Sequence, residues 1–125
     1  MPDLTLRRVT FTSEADVILK MLKARTGITP NVLCRMGLSL SLDEPGRPRP
    51  VERGSGPAAR EINRYTLLGE YDVVFVALLR MRAEEDGVTK DVLDEEFLAH
   101  LHRGIQLLSG RLKSLQDLDR LSVRV

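Results

Sequence analysis

Polar and apolar residues alternate at the start of this chain and then change period. Over residues 4–11 (LTLRRVTF), Val9 and Phe11 fall on one side and Arg8 and Thr10 on the other, the two-residue repeat of a short strand. Arg8 interrupts the alternation that Leu4 and Leu6 begin, so the facing of those first residues stays open. From residue 13 the spacing is helical. Ala15, Ile18, Leu19 and Leu22 form one stripe, and Val17 and Met21 are expected to widen it. Thr12 or Ser13 offers a capping oxygen, Glu14 and Asp16 suit the positive helix start, and Gly27 stops the helix. Thr29 and Pro30 restart it as cap and first helical residue. The second helix is expected to reach about Leu42, with Leu33, Met36, Gly37 and Leu40 inward. Gly37 costs that helix about 1 kcal/mol relative to Ala, which a close helix approach would explain.

Asp43 to Ala59 is rich in Pro and Gly and carries arginines, composition that forms neither a regular helix nor a central strand, and a mobile basic loop is expected. Residues 62–68 read equally as a short strand or as the polar lead-in to a helix. Glu70 to about Glu85 is helical, with seven uninterrupted apolar residues over Val73–Leu79. A helix apolar on all sides needs cover on all sides, and in so small a chain the missing cover points to another subunit. Tyr71, Val73, Val76 and Leu79 are the candidate interface residues. Asp86-Gly87 ends this helix and Thr89 is the expected cap of the next, Val92 to Ser109, whose Leu93, Phe97, Leu101, Ile105 and Leu108 share a face. Gly110 punctuates it, and Leu112, Leu115, Leu118 and Leu121 suggest a last short helix.

The fold class so predicted is mainly α, or α+β with a short N-terminal strand, in a single domain over 1–125. A strand-helix-helix portion (1–43) precedes a basic Pro/Gly loop (44–60) and a helical oligomerisation portion (61–125). The first portion shares its outline with the ribbon-helix-helix DNA-binding fold, in which strands of two copies pair and enter the major groove. On that reading Arg8 and Thr10 would face the groove and the Ile28–Asn31 turn would hold a phosphate. Strand-helix-turn-helix is also a common way to begin any small domain.

Charge adds an asymmetry. Residues 1–64 hold 11 Lys+Arg against 7 Asp+Glu, and residues 65–125 hold 8 against 11, so a basic half precedes an acidic one. Arg7, Arg8, Lys20, Lys23, Arg25, Arg35, Arg47, Arg49 and Arg60 are candidates for tracking a phosphate backbone, or are simply a solvated surface. Fifteen of the 19 basic residues are Arg, which favours bidentate phosphate contacts. One cysteine, Cys34, excludes an internal disulfide and reads as a core thiol in a reducing, cytoplasmic setting. No run reaches the roughly 18–20 apolar residues of a membrane span. His100 and His102, two apart on a helix, point to different faces, so neither a metal site nor any cofactor is expected. Asp91, Asp94, Glu95 and Glu96 read as a helix first turn. The polar string Arg60, Glu61, Asn63, Arg64, Tyr65, Glu70, Tyr71 and Asp72 holds groups for acid–base work, but composition equally fits an interface or a buried polar network, and no catalytic residue is assigned.

Three blocks carry a family resemblance: LKARTGITPNVLCR at 22–35, SLDEPG at 41–46 and REINRYTLLGEYD at 60–72. In this order and spacing they resemble the DndE family of the bacterial DNA phosphorothioation system. The resemblance implies a part in replacing a non-bridging phosphate oxygen of DNA with sulfur. It implies a tetramer that binds nicked duplex DNA through surface cations and has no known active site. Its implied partners are a cysteine desulfurase, an iron–sulfur sulfurtransferase and an ATPase. The family's binding is described through lysines, whereas arginines supply most of the charge here. The reading is therefore a non-enzymatic DNA-binding accessory protein. Its rivals are a ribbon-helix-helix transcription regulator and a protein-only scaffold.

Overall fold

The computed structural model of the chain describes residues 2–52, 54 and 56–112. Two strands and five helices follow in the order β1 (Arg8–Phe11), α1 (Ser13–Thr26), α2 (Pro30–Asp43), β2 (Arg60–Asn63), α3 (Arg64–Leu68), α4 (Asp72–Glu85) and α5 (Asp94–Arg111). A 3-10 turn at Gly69–Tyr71 joins α3 to α4. The architecture is mostly helical with one small antiparallel sheet. Residues 62–68 combine both options left open by periodicity, strand to Asn63 and helix from Arg64.

Local chemistry places the ends of the first two helices. Thr12 caps α1, its hydroxyl accepting from the Ala15 amide at 3.2 Å, and Gly27 closes it at φ 74°. That positive φ suits glycine because it lacks a Cβ. Pro30 is the first residue of α2, but Thr29 precedes it without making a side-chain cap bond. The strand is shorter than the alternation suggested. Residues 3–6 instead run along the start of α5, where Asp94 accepts from the amides of Thr5 (2.7 Å) and Leu6 and from the Thr5 hydroxyl (2.5 Å). This use of Asp94 also corrects the expected start of the last helix. α5 begins at Asp94 rather than Val92, Thr89 does not cap it, and Asp91 lies outside it. Its first turn still carries Asp94, Glu95 and Glu96, and it runs through Gly110 to Arg111. Leu112 is buried, and the leucines beyond it lie outside the described residues.

The core forms where α2 lies across α5. Phe97, Leu101, Ile105 and Leu108 of α5 are buried together with Leu33 and Leu38 of α2 and Leu19 and Leu22 of α1. Met36 and Leu40 sit at its edge, partly buried, while Cys34 and Leu38 take the inner positions. The crossing point explains Gly37. A Cβ built there would stand 2.8 Å from the Gly104 carbonyl carbon and 2.9 Å from its oxygen. The two backbones meet with no side chain between them. Val17 and Met21 do not widen the inner stripe of α1 and are 55% and 40% exposed, because only one narrow face of α1 is covered.

The loop after α2 is not free at its start. Arg103 donates to Ser41 Oγ and to the carbonyls of Ser41 and Gly46, and Arg82 donates to the carbonyls of Leu42 and Gly46. Arg47 then reaches Glu96 with Nε and Nη2, and Pro48 is buried. Beneath this strap His100 is fully buried, its Nδ1 2.9 Å from Ser41 Oγ. Burial, helped by the nearby Arg103 and Arg82 charges, pushes His100 down to about 4. It is therefore neutral at pH 7. Cys34 is a core thiol, and burial pushes its pKa up to about 12.

Candidate nucleic-acid interface

β1 and β2 form a ribbon with Arg8 opposite Asn63 and Phe11 opposite Arg60. Val9 and Phe11 point into the core while Arg8 stands 80% exposed by its side chain. The ladder continues one step, since the Arg64 amide donates to the Arg7 carbonyl at 2.8 Å. β1 therefore takes its partner from its own chain, whereas the ribbon-helix-helix arrangement needs a strand from a second copy.

The predicted cations divide into two groups. Arg7, Lys23, Arg25 and Arg49 are exposed and make no ion pair among the described residues. Arg8 and Lys20 join them at the surface, paired to Glu61 at 3.3 Å and Asp16 at 3.0 Å. The exposed Arg8–Glu61 pair contributes at most about 1 kcal/mol, so Arg8 remains available to an anion, whereas Lys20, itself at the surface, is held by the buried Asp16. Three others have internal work. Arg60 donates to Asp16 at 2.6 Å, and that hydrogen bond, outweighing the opposing effect of burial, holds the Asp16 carboxyl below its usual pKa. Arg35 donates to the Leu67 carbonyl and stands over Tyr71, 5.9 Å from the ring centroid. Arg47 neutralises Glu96, which is buried, and the same hydrogen bond raises the Arg47 pKa.

The polar string at 60–72 does not converge on one point. Arg60 goes to Asp16, Glu61 to Arg8, and Asn63 caps α3 by accepting from the amides of Tyr65 and Thr66. Arg64 is 7% exposed and clamps Asp72 in a two-point contact, Nε to Oδ1 at 2.8 Å and Nη2 to Oδ2 at 2.9 Å. Its Nη1 donates to the Leu4 carbonyl at 2.8 Å, tying the N-terminal segment to the base of α4. This clamp joins residues eight apart across a helix, a 3-10 turn and a second helix, and no helical spacing announces it. The histidines are engaged separately. His102 Nε2 lies 3.3 Å from the Thr12 amide and its Nδ1 2.8 Å from the Leu98 carbonyl.

α4 presents the other notable surface. Val76 and Leu79 lie inside the chain's own core, 7% and 1% exposed, together with Phe75. They are therefore not on the outer face expected of interface residues. The outward apolar row consists of Val73 (78%), Val74, Leu78 and Met81 (62%), with Tyr71 at its head. The seven-residue run had no polar position from which the sidedness of the helix could be read.

The family model for DndE, the DNA sulphur modification protein, matches residues 8–116. The chain belongs to the DndE family. Its structure is similar to the crystal structure of DndE from Escherichia coli involved in DNA phosphorothioation modification, with a TM-score of 0.65 and 28% identity over 84% of this chain and 98% of that one. It also resembles a glycine-to-lysine double mutant of DndE involved in DNA phosphorothioation, with a TM-score of 0.62 and 23% identity over 85% of this chain and 99% of that one. At that lower identity the likeness concerns fold alone. No curated protein matches the chain. Among the described residues no helix is long and apolar enough to cross a membrane.

Proposed function

We propose that this DndE-family chain is a non-enzymatic DNA-binding component of the phosphorothioation machinery, holding duplex or nicked DNA through the exposed cations of an oligomer. The supporting observation is that Arg7, Lys23, Arg25 and Arg49 stand at the surface without an ion-pair partner among the described residues. Cations with no internal task attract a polyanion, and each phosphate they neutralise releases condensed counterions. The polar string that might have formed an acid–base centre is spent on caps, a ribbon pair and the Arg64–Asp72 clamp. That allocation favours a binding role over chemistry at this place.

The outward row of α4 favours self-association, with a tetramer the family expectation. Joining copies would bring separate weak cation sets onto one continuous surface. In the cytoplasm the cysteine desulfurase, the iron–sulfur sulfurtransferase and the ATPase of the system are the proposed protein partners. Titrating duplex DNA at rising salt tests the binding reading. Affinity should fall linearly on a log–log scale with a slope near −0.9 per phosphate contacted. Affinity that stays flat from low to high salt removes the phosphate contacts and leaves a protein-only scaffold.

A further inference from the structure

The chain has two tyrosines and no tryptophan, and both tyrosine rings are about half exposed. They differ in what holds them. The Arg64 guanidinium lies over the Tyr65 ring, 4.9 Å from its centroid, within the distance at which a cation is attracted to an aromatic face. That guanidinium is immobilised by its two-point contact with Asp72 and its bond to the Leu4 carbonyl. One face of Tyr65 is thus backed by a buried, fixed plane, and 53% of the residue remains open. An aromatic side chain fixed from behind has little left to lose on binding.

Arg64 beneath Tyr65 is neutralised by Asp72, and the segment facing it carries two further cations. Arg7 is exposed and lies directly across the ribbon from Arg64, its carbonyl accepting the Arg64 amide. Arg8, the next residue, is opposite Asn63, and its one acidic neighbour, Glu61, is already offset by it. The amides at the start of α3 are taken by the Asn63 side chain, so any phosphate here must be met by the arginine side chains. Tyr71, by contrast, stands between Glu70 and the apolar row of α4, with Arg35 at the far limit of cation–aromatic range. Its setting suits a protein surface.

We infer that the exposed face of Tyr65 is a stacking platform for an unpaired nucleobase, with Arg7 and Arg8 taking the flanking phosphates. This inference rests on the DNA-binding reading and adds that an unstacked base at an interruption in the duplex is what the platform favours. Every base has a flat face, so the contact depends little on sequence.

Tyrosine is the only strong intrinsic fluorophore, which gives a direct test. In a Tyr71→Phe background, Tyr65 alone reports. Adding a duplex with a short single-stranded gap should quench its emission in step with binding, while an intact duplex binds with little quenching. Tyr65→Leu in the natural chain should weaken gapped-duplex binding roughly tenfold, the scale of one base–aromatic stack, with intact-duplex affinity unchanged and Tyr65→Phe close to the natural protein. Gapped-duplex affinity untouched by Tyr65→Leu would overturn the platform while sparing general DNA binding. So would an equal loss on both duplexes, or a change in solution mass with no quenching, which would make Tyr65 part of a protein interface. Failure of the natural protein to bind any DNA at low salt would remove the underlying reading instead.

Discussion

α5 and α4 follow one another in the chain, yet they solve opposite problems. α5 is amphipathic and packs within the chain, to the extent of burying Glu96 and His100 against Arg47 of the loop and Ser41 of α2. α4 buries Phe75, Val76 and Leu79 but leaves Val73, Val74, Leu78 and Met81 outside. One helix takes polar groups inward and gives each one partner, leaving Glu96 Oε2 and His100 Nε2 without one among the described residues; the other leaves apolar groups uncovered. The contrast separates residues that decide folding from residues free to decide association.

Breaking the inner side of α4 should give the largest effect. Leu79→Asp buries a carboxylate with no partner, a loss of several kcal/mol, and should abolish the cooperative unfolding transition seen by circular dichroism. Retention of a native transition would refute the placement of Leu79 in the core. Next comes the α2–α5 crossing. Gly104→Ala forces a methyl group against the Gly37 backbone and should cost about 1–3 kcal/mol in urea unfolding. An unchanged midpoint would mean that the helices do not meet there.

The His100 pocket makes a pH prediction of similar size. Its folded pKa of about 4 lies below the ordinary 6.5, so between those values the unfolded chain binds more protons than the folded one. Stability is then full above 6.5 and falls with acidification through the window. The difference between pH 7 and pH 5 should be about 2 kcal/mol from this residue. His100→Gln should flatten that part of the profile while lowering stability throughout. An equally steep profile in the variant would assign the slope to another group.

The outer side of α4 should behave in the opposite way. Val73→Asp with Met81→Asp changes only exposed positions and should alter monomer stability by no more than about 0.5 kcal/mol. It should nevertheless reduce the solution mass. Equal mass before and after would move the association surface elsewhere.

Features set by neighbouring residues were legible from the chain itself. Thr12, Gly27 and Pro30 bound their helices where expected, because capping and left-handed turns depend on local chemistry. The α5 stripe was equally plain, since its polar face fixes its phase. The sidedness of α4 was not, because an all-apolar run carries no phase. Val17 and Met21 misled for a related reason, as spacing does not reveal how wide a face its neighbours cover. The Asp94 contacts and the Arg64–Asp72 clamp depend on segments brought together only by the fold. The same holds for Arg35, Arg47 and Arg60, which composition alone could not separate from surface cations.

The most direct measurement is the mass of the purified protein in solution, alone and with nicked duplex DNA, at low and high salt. A stable multimer should bind the DNA intact at low salt and release it, still multimeric, at high salt. A single subunit that leaves the DNA unbound in dilute buffer would contradict this.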